Sequence, residues 1–306
     1  MHRRGAAVGQ DIFARRETRI ARSAKRSVVR AEFLLQALVA RSGSRTVTCP
    51  HCRSTERDHV ATKARVVRIM RCATCGLYYT DPLYRSRLAA NFYDRLYAAE
   101  GSTTDMPDPR TAARLRETGF KGSDKDASTI LDRLRSLAGP KRRLLELGSS
   151  WGYFLYQARQ TGLEPTGVEI AEGRRRFGIQ HLGVHILPTL ADVGNESFDI
   201  AFAAHVLEHF TDISTVYAEL ASLLRPGGHL LVEVPNFDLE QFGDRILSLV
   251  GAVHPLGYDS GWFRRNLITH GFIDVTIYSG WDSTSPAPAA RSTSSVIVVH
   301  ARMPED

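Results

Sequence analysis

Three ionisable side chains fall within five positions in AAHVLEHF: His205, Glu208 and His209. An imidazole titrating near neutrality suits proton transfer, and a carboxylate beside it can orient it. His209 with Glu208 is the candidate base and its neighbour. His205 ends the preceding apolar run and joins them as a third candidate. Holding a loop, or orienting a bound ligand, explains the same residues equally well. Further along, VHPLGYDSGWF (253–263) offers His254 and Tyr258 to an acceptor pocket, with plain surface as the alternative for a lone loop histidine. Tyr93 and Tyr97 in NFYDRLY reach the same pocket or serve as core aromatics of a helix.

All four cysteines lie within 27 positions, as C-P-H-C, nineteen residues, then C-A-T-C. Two such knuckles match a tetrahedral zinc site with Cys49, Cys52, Cys72 and Cys75 as ligands. A closed four-thiolate site leaves no position for water, so its role is structural. A redox pair is the weaker alternative, and His51 inside the first knuckle is not expected to be a ligand.

A third constellation is LLELGSSWGYFL (144–155). Gly148 and Gly152 let the backbone turn sharply and approach a ligand closely. There is no G-x-G-x-x-G to seat a pyrophosphate, and Glu146 in the same turn would repel one. A ligand with an ammonium group and a sulfonium centre suits it, and S-adenosylmethionine (SAM) is such a ligand. The next strand ends G-V-E-I, where Glu169 can accept hydrogen bonds from ribose hydroxyls, a feature shared with dinucleotide sites. Ordinary strand-end carboxylates are the bland alternative for both.

These groups need elements to carry them. From residue 141 onward strand and helix patterns alternate, as in a parallel sheet with helices on both faces. RLLELG, PTGVEI, VHILPT, FDIAFAAHV, HLLVEVPN, IDVTIYS and SSVIVVHAR are the expected strands. ISTVYAELASLL is a helix stopped by R-P-G-G, and GWFRRNLITHG is a helix before the last strand pair. STILDRLRSLAG (128–139) is a helix with Ile130, Leu131, Leu134 and Leu137 on one face. Four regions follow: a basic helical segment over 1–45, a zinc ribbon over 46–86, a helical linker or cover over 87–139, and a ligand-binding domain over 140–306.

The stretch from about 140 to 240 resembles a class I SAM-dependent methyltransferase, on LLELGSSWGYFL, GVEI, SFDIAFAAHVLEHF and LRPGGHLLVEVPN. The resemblance implies an α/β fold with a doubly wound, mostly parallel seven-stranded, Rossmann-like sheet. It implies that Glu146, Gly148, Ser150 and Gly152 line the methionine end and sugar of SAM. Glu169 would hold the ribose, Ile170 would pack on the adenine, and Thr189 and Leu190 would flank the adenine with backbone amides. The family often has glycine where this chain has Ser150. The cysteine segment is similar to the N-terminal zinc ribbon of methyltransferases acting on sugars and other small polar metabolites. The expected activity is therefore methyl transfer from SAM to a small-molecule acceptor such as a sugar nucleotide, a glycan end or a secondary metabolite. RNA methylation is the alternative, and a non-catalytic SAM-fold scaffold is another.

Charge bears on these alternatives. Residues 1–45 hold eleven of the forty Lys and Arg and three of the thirty-three Asp and Glu, so the formal +7 belongs to that segment and the body is close to neutral. A nucleic-acid partner is not expected of such a body. The basic segment reads as a solvated or partner-docked helix, with docking on an anionic membrane surface, or on RNA, as alternatives. With no apolar run of ~18 residues and no secretory signal pattern, the chain is expected to be cytoplasmic.

Overall fold

The computed structural model describes residues 47–83, 106–140, 142–238, 249–251, 254–283 and 294–305, with isolated positions at 28–39, 243 and 286. Within the expected basic helix, Ala31, Glu32, Leu34 and Leu35 are helical. Most of segment 1–45, together with Tyr93 and Tyr97, lies outside the described residues.

Two sheets organise the chain. The first is antiparallel, built from β1 (Arg57–Lys63), β2 (Val67–Cys72) and β3 (Tyr78–Asp81), with β9 (Leu256–Gly257) added from far along the sequence. The second has seven strands in the order β10-β11-β8-β7-β4-β5-β6. Its members are β4 (Arg143–Leu147), β5 (Glu164–Val168), β6 (Ile186–Leu187), β7 (Phe198–Ala204), β8 (Leu224–Pro235), β10 (Ile273–Tyr278) and β11 (Val296–Arg302). Strands β4 to β8 run parallel, and β11 is antiparallel to both its neighbours. The expected doubly wound, mostly parallel sheet is the one found.

The period of two along each strand builds two cores. Leu144, Ile200, Phe202 and Leu231 face α2 (Ser128–Ala138) and α3 (Tyr153–Gln160), meeting Leu131, Leu134 and Phe154. Leu145, Leu147, Ala201, Ala203 and Val232 face the other way, toward Tyr217 and Leu220 of α5 (Ile213–Leu223) and Trp262 of α6 (Ser260–Asn266). Both faces are covered, which is why β4 and β7 are apolar throughout apart from strand ends and Glu146. Each fully buried Leu or Phe here contributes roughly 1.5–3 kcal/mol. Helices α1 (Pro109–Glu117) and α4 (Glu172–Leu182) complete the set.

Two local readings are corrected. R-P-G-G does not separate a helix from a strand: α5 ends at Leu223 and β8 begins at Leu224. Register on β7 jumps from Phe198↔Leu224 to Ile200↔His229, so Arg225–Gly228 bulge out. Gly227 at φ +64° makes the bend, its amide donates to Pro304, and Met303 donates to Gly228. The tail after β11 thus supplies partners that a turn would otherwise lack. VHILPT pairs only through Ile186 and Leu187, a short edge strand that offers little for another chain to add to.

The cysteine segment shares its core with the larger sheet's helices. Cys49, Cys72, Cys75, Leu77 and Tyr79 belong to the same buried cluster as Tyr217, Trp262 and Phe263. Tyr78 and Tyr79 pair with Gly257 and Leu256, and the Thr80 amide donates to Pro255 at 2.9 Å.

Candidate active site

The chain crosses over between β4 and β7: β5 and β6 lie on one side of β4, β7 and β8 on the other. Ligands in open parallel sheets bind at such a switch point, beyond the carboxyl ends of the strands. Glu146, Glu169, His205 and Glu233 all sit at those ends.

The turn after β4 is held tightly. Gly148 and Ser149 both donate to Val168, at 2.7 and 3.0 Å. Gly148 has φ +76°, and a β-carbon there would strike Val206 Cγ2 at 2.0 Å. A β-carbon on Gly152, at φ +77°, would meet Val184 at 2.6 Å. Ser150 adopts φ +51°, which costs a non-glycine residue roughly 1–2 kcal/mol. Two contacts offset that cost: the Ser150 amide donates to Glu169 Oε2 at 2.9 Å, and Arg174 Nη1 donates to the Ser150 hydroxyl at 2.7 Å. Glu169 Oε1 accepts from the Ala171 amide at 2.9 Å.

Glu146 is 7% exposed and its Oε2 has no hydrogen-bond partner. Burial, then the charge of Glu169, pushes its carboxyl well above the ordinary range. Burial also raises Glu169, against the pull of the Ala171 and Ser150 amides and the nearby Arg174. Two buried carboxylates from neighbouring strand ends beside one turn, one of them unsatisfied, fit a ligand that brings positive charge and hydrogen-bond donors. A SAM sulfonium, ammonium and ribose supply both. Ile170, next in sequence, keeps 59% of its surface exposed, free to cover a flat ring. Thr189 caps the 3-10 turn Leu190–Val193, and its amide already donates to Asp192 at 3.0 Å. The expected role of the Thr189 amide against adenine is thus taken by an internal partner.

The turn after β7 gathers the other candidates. His205 has φ +52°, and its amide donates to Glu233 O at 2.9 Å. Its Nε2 lies 2.7 Å from Glu233 Oε1 and its Nδ1 3.5 Å from Glu208 Oε1. Burial pulls this imidazole down, but the two carboxylates outweigh it and raise the pKa to about 10. With both nitrogens facing carboxylates, the protonated form of His205 is favoured. It positions Glu208 and Glu233 and does not fit a base. Glu233, which also accepts from the Trp281 indole, was not among the sequence candidates. Its one signal was a charged residue in the apolar run LLVEVPN.

Glu208 sits in the 3-10 turn Leu207–His209, 2% exposed, and neither of its oxygens has a hydrogen bond. Burial pushes its carboxyl upward, but the cationic forms of His205, His209 and His254 hold it below the ordinary range. His209 and His254 meet edge to face, ring centroids 4.7 Å apart. One donor atom each from Glu208, His209 and His254 lies within 4.8 Å of the others. His254 Nδ1 is 3.0 Å from the Leu249 carbonyl, so that nitrogen carries the proton. A small cavity beside them is lined by Glu208, Phe237, Leu249, His254 and Tyr258. Tyr258 is buried and its hydroxyl donates to Leu207 O at 3.1 Å, so the expected acceptor contact is replaced by a structural one.

The four cysteines converge: Cys49 and Cys75 sulfurs lie 3.5 Å apart, as do Cys52 and Cys72, and none is in a disulfide. A tetrahedral zinc with ~2.3 Å bonds separates its sulfurs by about 3.8 Å, so the set fits one. The hydrogen bond to Cys75, then burial, raises Cys49, while the same bond draws Cys75 down to about 3.

A family profile described as "Methyltransferase domain" matches residues 120–280, just over half of the chain. The chain is similar to the Ubiquinone biosynthesis O-methyltransferase of Rhodopseudomonas palustris (strain BisA53), 26% identical over 174 residues that cover 55% of this chain and 64% of that relative. It is similar to the tRNA U34 carboxymethyltransferase of Dichelobacter nodosus, 29% identical over 149 residues, 46% of each. The chain thus spans less than two thirds of the length of these curated relatives. Among solved structures it resembles Haemonchus contortus Phospholethanolamine N-methyltransferase 2 in complex with phosphomonomethylethanolamine and S-adenosylhomocysteine, with TM-score 0.49, 16% identity, and 67% of this chain and 61% of that one covered. A match over more than half of its residues, on this sheet, makes the chain a member of the methyltransferase-domain family, the class I SAM-dependent methyltransferases.

Proposed function

We propose that this protein methylates an oxygen of a small polar acceptor, such as a sugar nucleotide, a glycan end or a secondary metabolite, with a structural zinc in the four-cysteine cluster. The observation that carries the reading is the pair of buried carboxylates, Glu146 and Glu169, at the ends of two adjacent strands beside the glycine turn. When bound, SAM supplies an electrophilic methyl group. Glu146 would meet its cationic end, Glu169 its ribose and Ile170 its adenine. His205, between Glu208 and Glu233, holds the neighbouring turn in shape. An acceptor hydroxyl has a proton to lose, and the Glu208–His209–His254 group is where this chain can draw it off. The near-neutral body supports a small acceptor, and a relative named as an O-methyltransferase supports oxygen.

RNA is the second reading, supported by the basic segment 1–45 and by a relative named as acting on tRNA. Product S-adenosylhomocysteine, measured with a panel of sugar nucleotides, phenols and total tRNA, tests the two. Turnover on tRNA alone, with salt-sensitive binding, would sink the small-acceptor reading.

A further inference from the structure

We propose that Glu208, His209 and His254 together bind one divalent cation, at a site separate from the four-cysteine cluster. The site lies where the proposed reaction removes the acceptor's proton, and its use there rests on that reading; the binding itself does not.

Three observations converge. First, the Glu208 carboxyl is almost wholly out of water, and neither oxygen has a hydrogen bond. Burying a carboxyl without a hydrogen bond is costly. His205 is an ion pair at 3.5 Å, but it lies closer to Glu233, at 2.7 Å. Second, His254 donates its Nδ1 proton to the Leu249 carbonyl. That bond fixes the tautomer and leaves Nε2 with a lone pair, the arrangement that metal-ligating histidines adopt. Third, one ligand atom from each of the three residues lies within 4.8 Å of the others. A tetrahedral ion with ~2.1 Å bonds needs them about 3.4 Å apart, a separation that falls within that limit.

Two imidazoles and one carboxylate favour Mn²⁺, Fe²⁺, Co²⁺ or Zn²⁺ over Mg²⁺ or Ca²⁺, which prefer oxygen. Three protein ligands leave coordination positions open for an acceptor oxygen. An acceptor hydroxyl held there becomes more acidic: its O–H bond breaks, the proton passes to solvent, and the oxygen keeps the electron pair. His209 then serves as a ligand and not as the base.

The fold supports this placement from outside the methyltransferase sheet. Pro255, directly after His254, accepts from Thr80 in β3, so the cysteine module sets the position of the third ligand.

Manganese provides the test, because a four-thiolate zinc site does not exchange readily for it. Full-length protein is titrated with MnCl₂ while free Mn²⁺ is followed by electron paramagnetic resonance. One saturable site per chain is expected, with Kd below about 1 mM. His254→Gln and His209→Asn should each weaken it at least tenfold, with the cysteine-bound zinc and the thermal transition retained as evidence of folding. No saturable site in the wild-type chain, or undiminished binding in both folded variants, would overturn the proposal. SAM binding is measured on the same samples by calorimetry: its absence from the wild-type chain would strike the methyltransferase reading, whereas the manganese titration decides the metal.

Discussion

The Thr80 amide donates to the Pro255 carbonyl at 2.9 Å, joining the last strand of the cysteine module to the segment that carries His254. These residues are 175 positions apart in the chain. The contact gives the module a consequence beyond its own stability, because whatever holds β3 also holds the segment that carries His254.

Loss of the four-cysteine cluster should therefore be felt in the candidate active site. We expect one tightly held zinc per chain by elemental analysis, lost in the Cys72→Ser, Cys75→Ser double variant. The variant should show a lower unfolding temperature and turnover reduced at least tenfold, about 1.4 kcal/mol or more in the barrier. Tightly held zinc persisting in the double variant would contradict a four-cysteine site.

Glu146→Gln separates stability from binding. The substitution replaces a buried carboxyl, whose ionisation burial already disfavours and whose oxygen is unsatisfied, with a neutral amide of the same shape, so the ligand-free protein should be about as stable as wild type. SAM affinity should fall by about ten- to a hundredfold, roughly 1.4–3 kcal/mol, by titration calorimetry. Unchanged affinity would remove Glu146 from the SAM site.

His209→Ala should lower turnover by about a hundredfold while SAM still binds, whether the residue acts as base or as ligand. Full turnover in this variant would place the proton step elsewhere.

Gly148→Ala brings a β-carbon into Val206 and places alanine at φ +76°. We expect at least 2 kcal/mol of destabilisation in urea titrations. Adding Val206→Ala removes the atom that clashes and should restore part of it, leaving the backbone term of roughly 1–2 kcal/mol.

Acid should destabilise the antiparallel edge through a histidine pair. His229 Nδ1 and His300 Nε2 are 2.9 Å apart, with rings stacked within 5° of parallel. Burial, then the charges of His229, Arg302 and Arg133, holds His300 down at about 4, against 6.5 in an unfolded chain. Between those values the unfolded chain binds the proton and the folded one does not. Stability present above pH 6.5 is thus lost as pH falls to 4, by about 3 kcal/mol. The wild-type slope across this window should exceed that of His300→Gln in denaturant titrations at stepped pH, and equal slopes would refute the assignment.

Short-range order was readable from the residues themselves. Apolar runs ending in Glu146 and Glu169 marked two strand ends, and paired C-x-x-C knuckles marked one cluster, because a strand end or a knuckle is specified by a few adjacent residues. The fate of R-P-G-G was not readable there, since its bulge depends on Pro304 and Met303 at the far end of the chain. Glu233 was missed for a similar reason: its partners His205 and Trp281 come from a different strand end and from the loop after β10. Tyr258 and His254 sit four residues apart and looked alike as pocket residues, yet the fold commits the tyrosine hydroxyl to a carbonyl and turns His254 toward Glu208 and His209. Local chemistry named the groups from sequence, and tertiary structure chose their partners, because hydrogen bonds and burial are settled between segments that the chain brings together only when it folds.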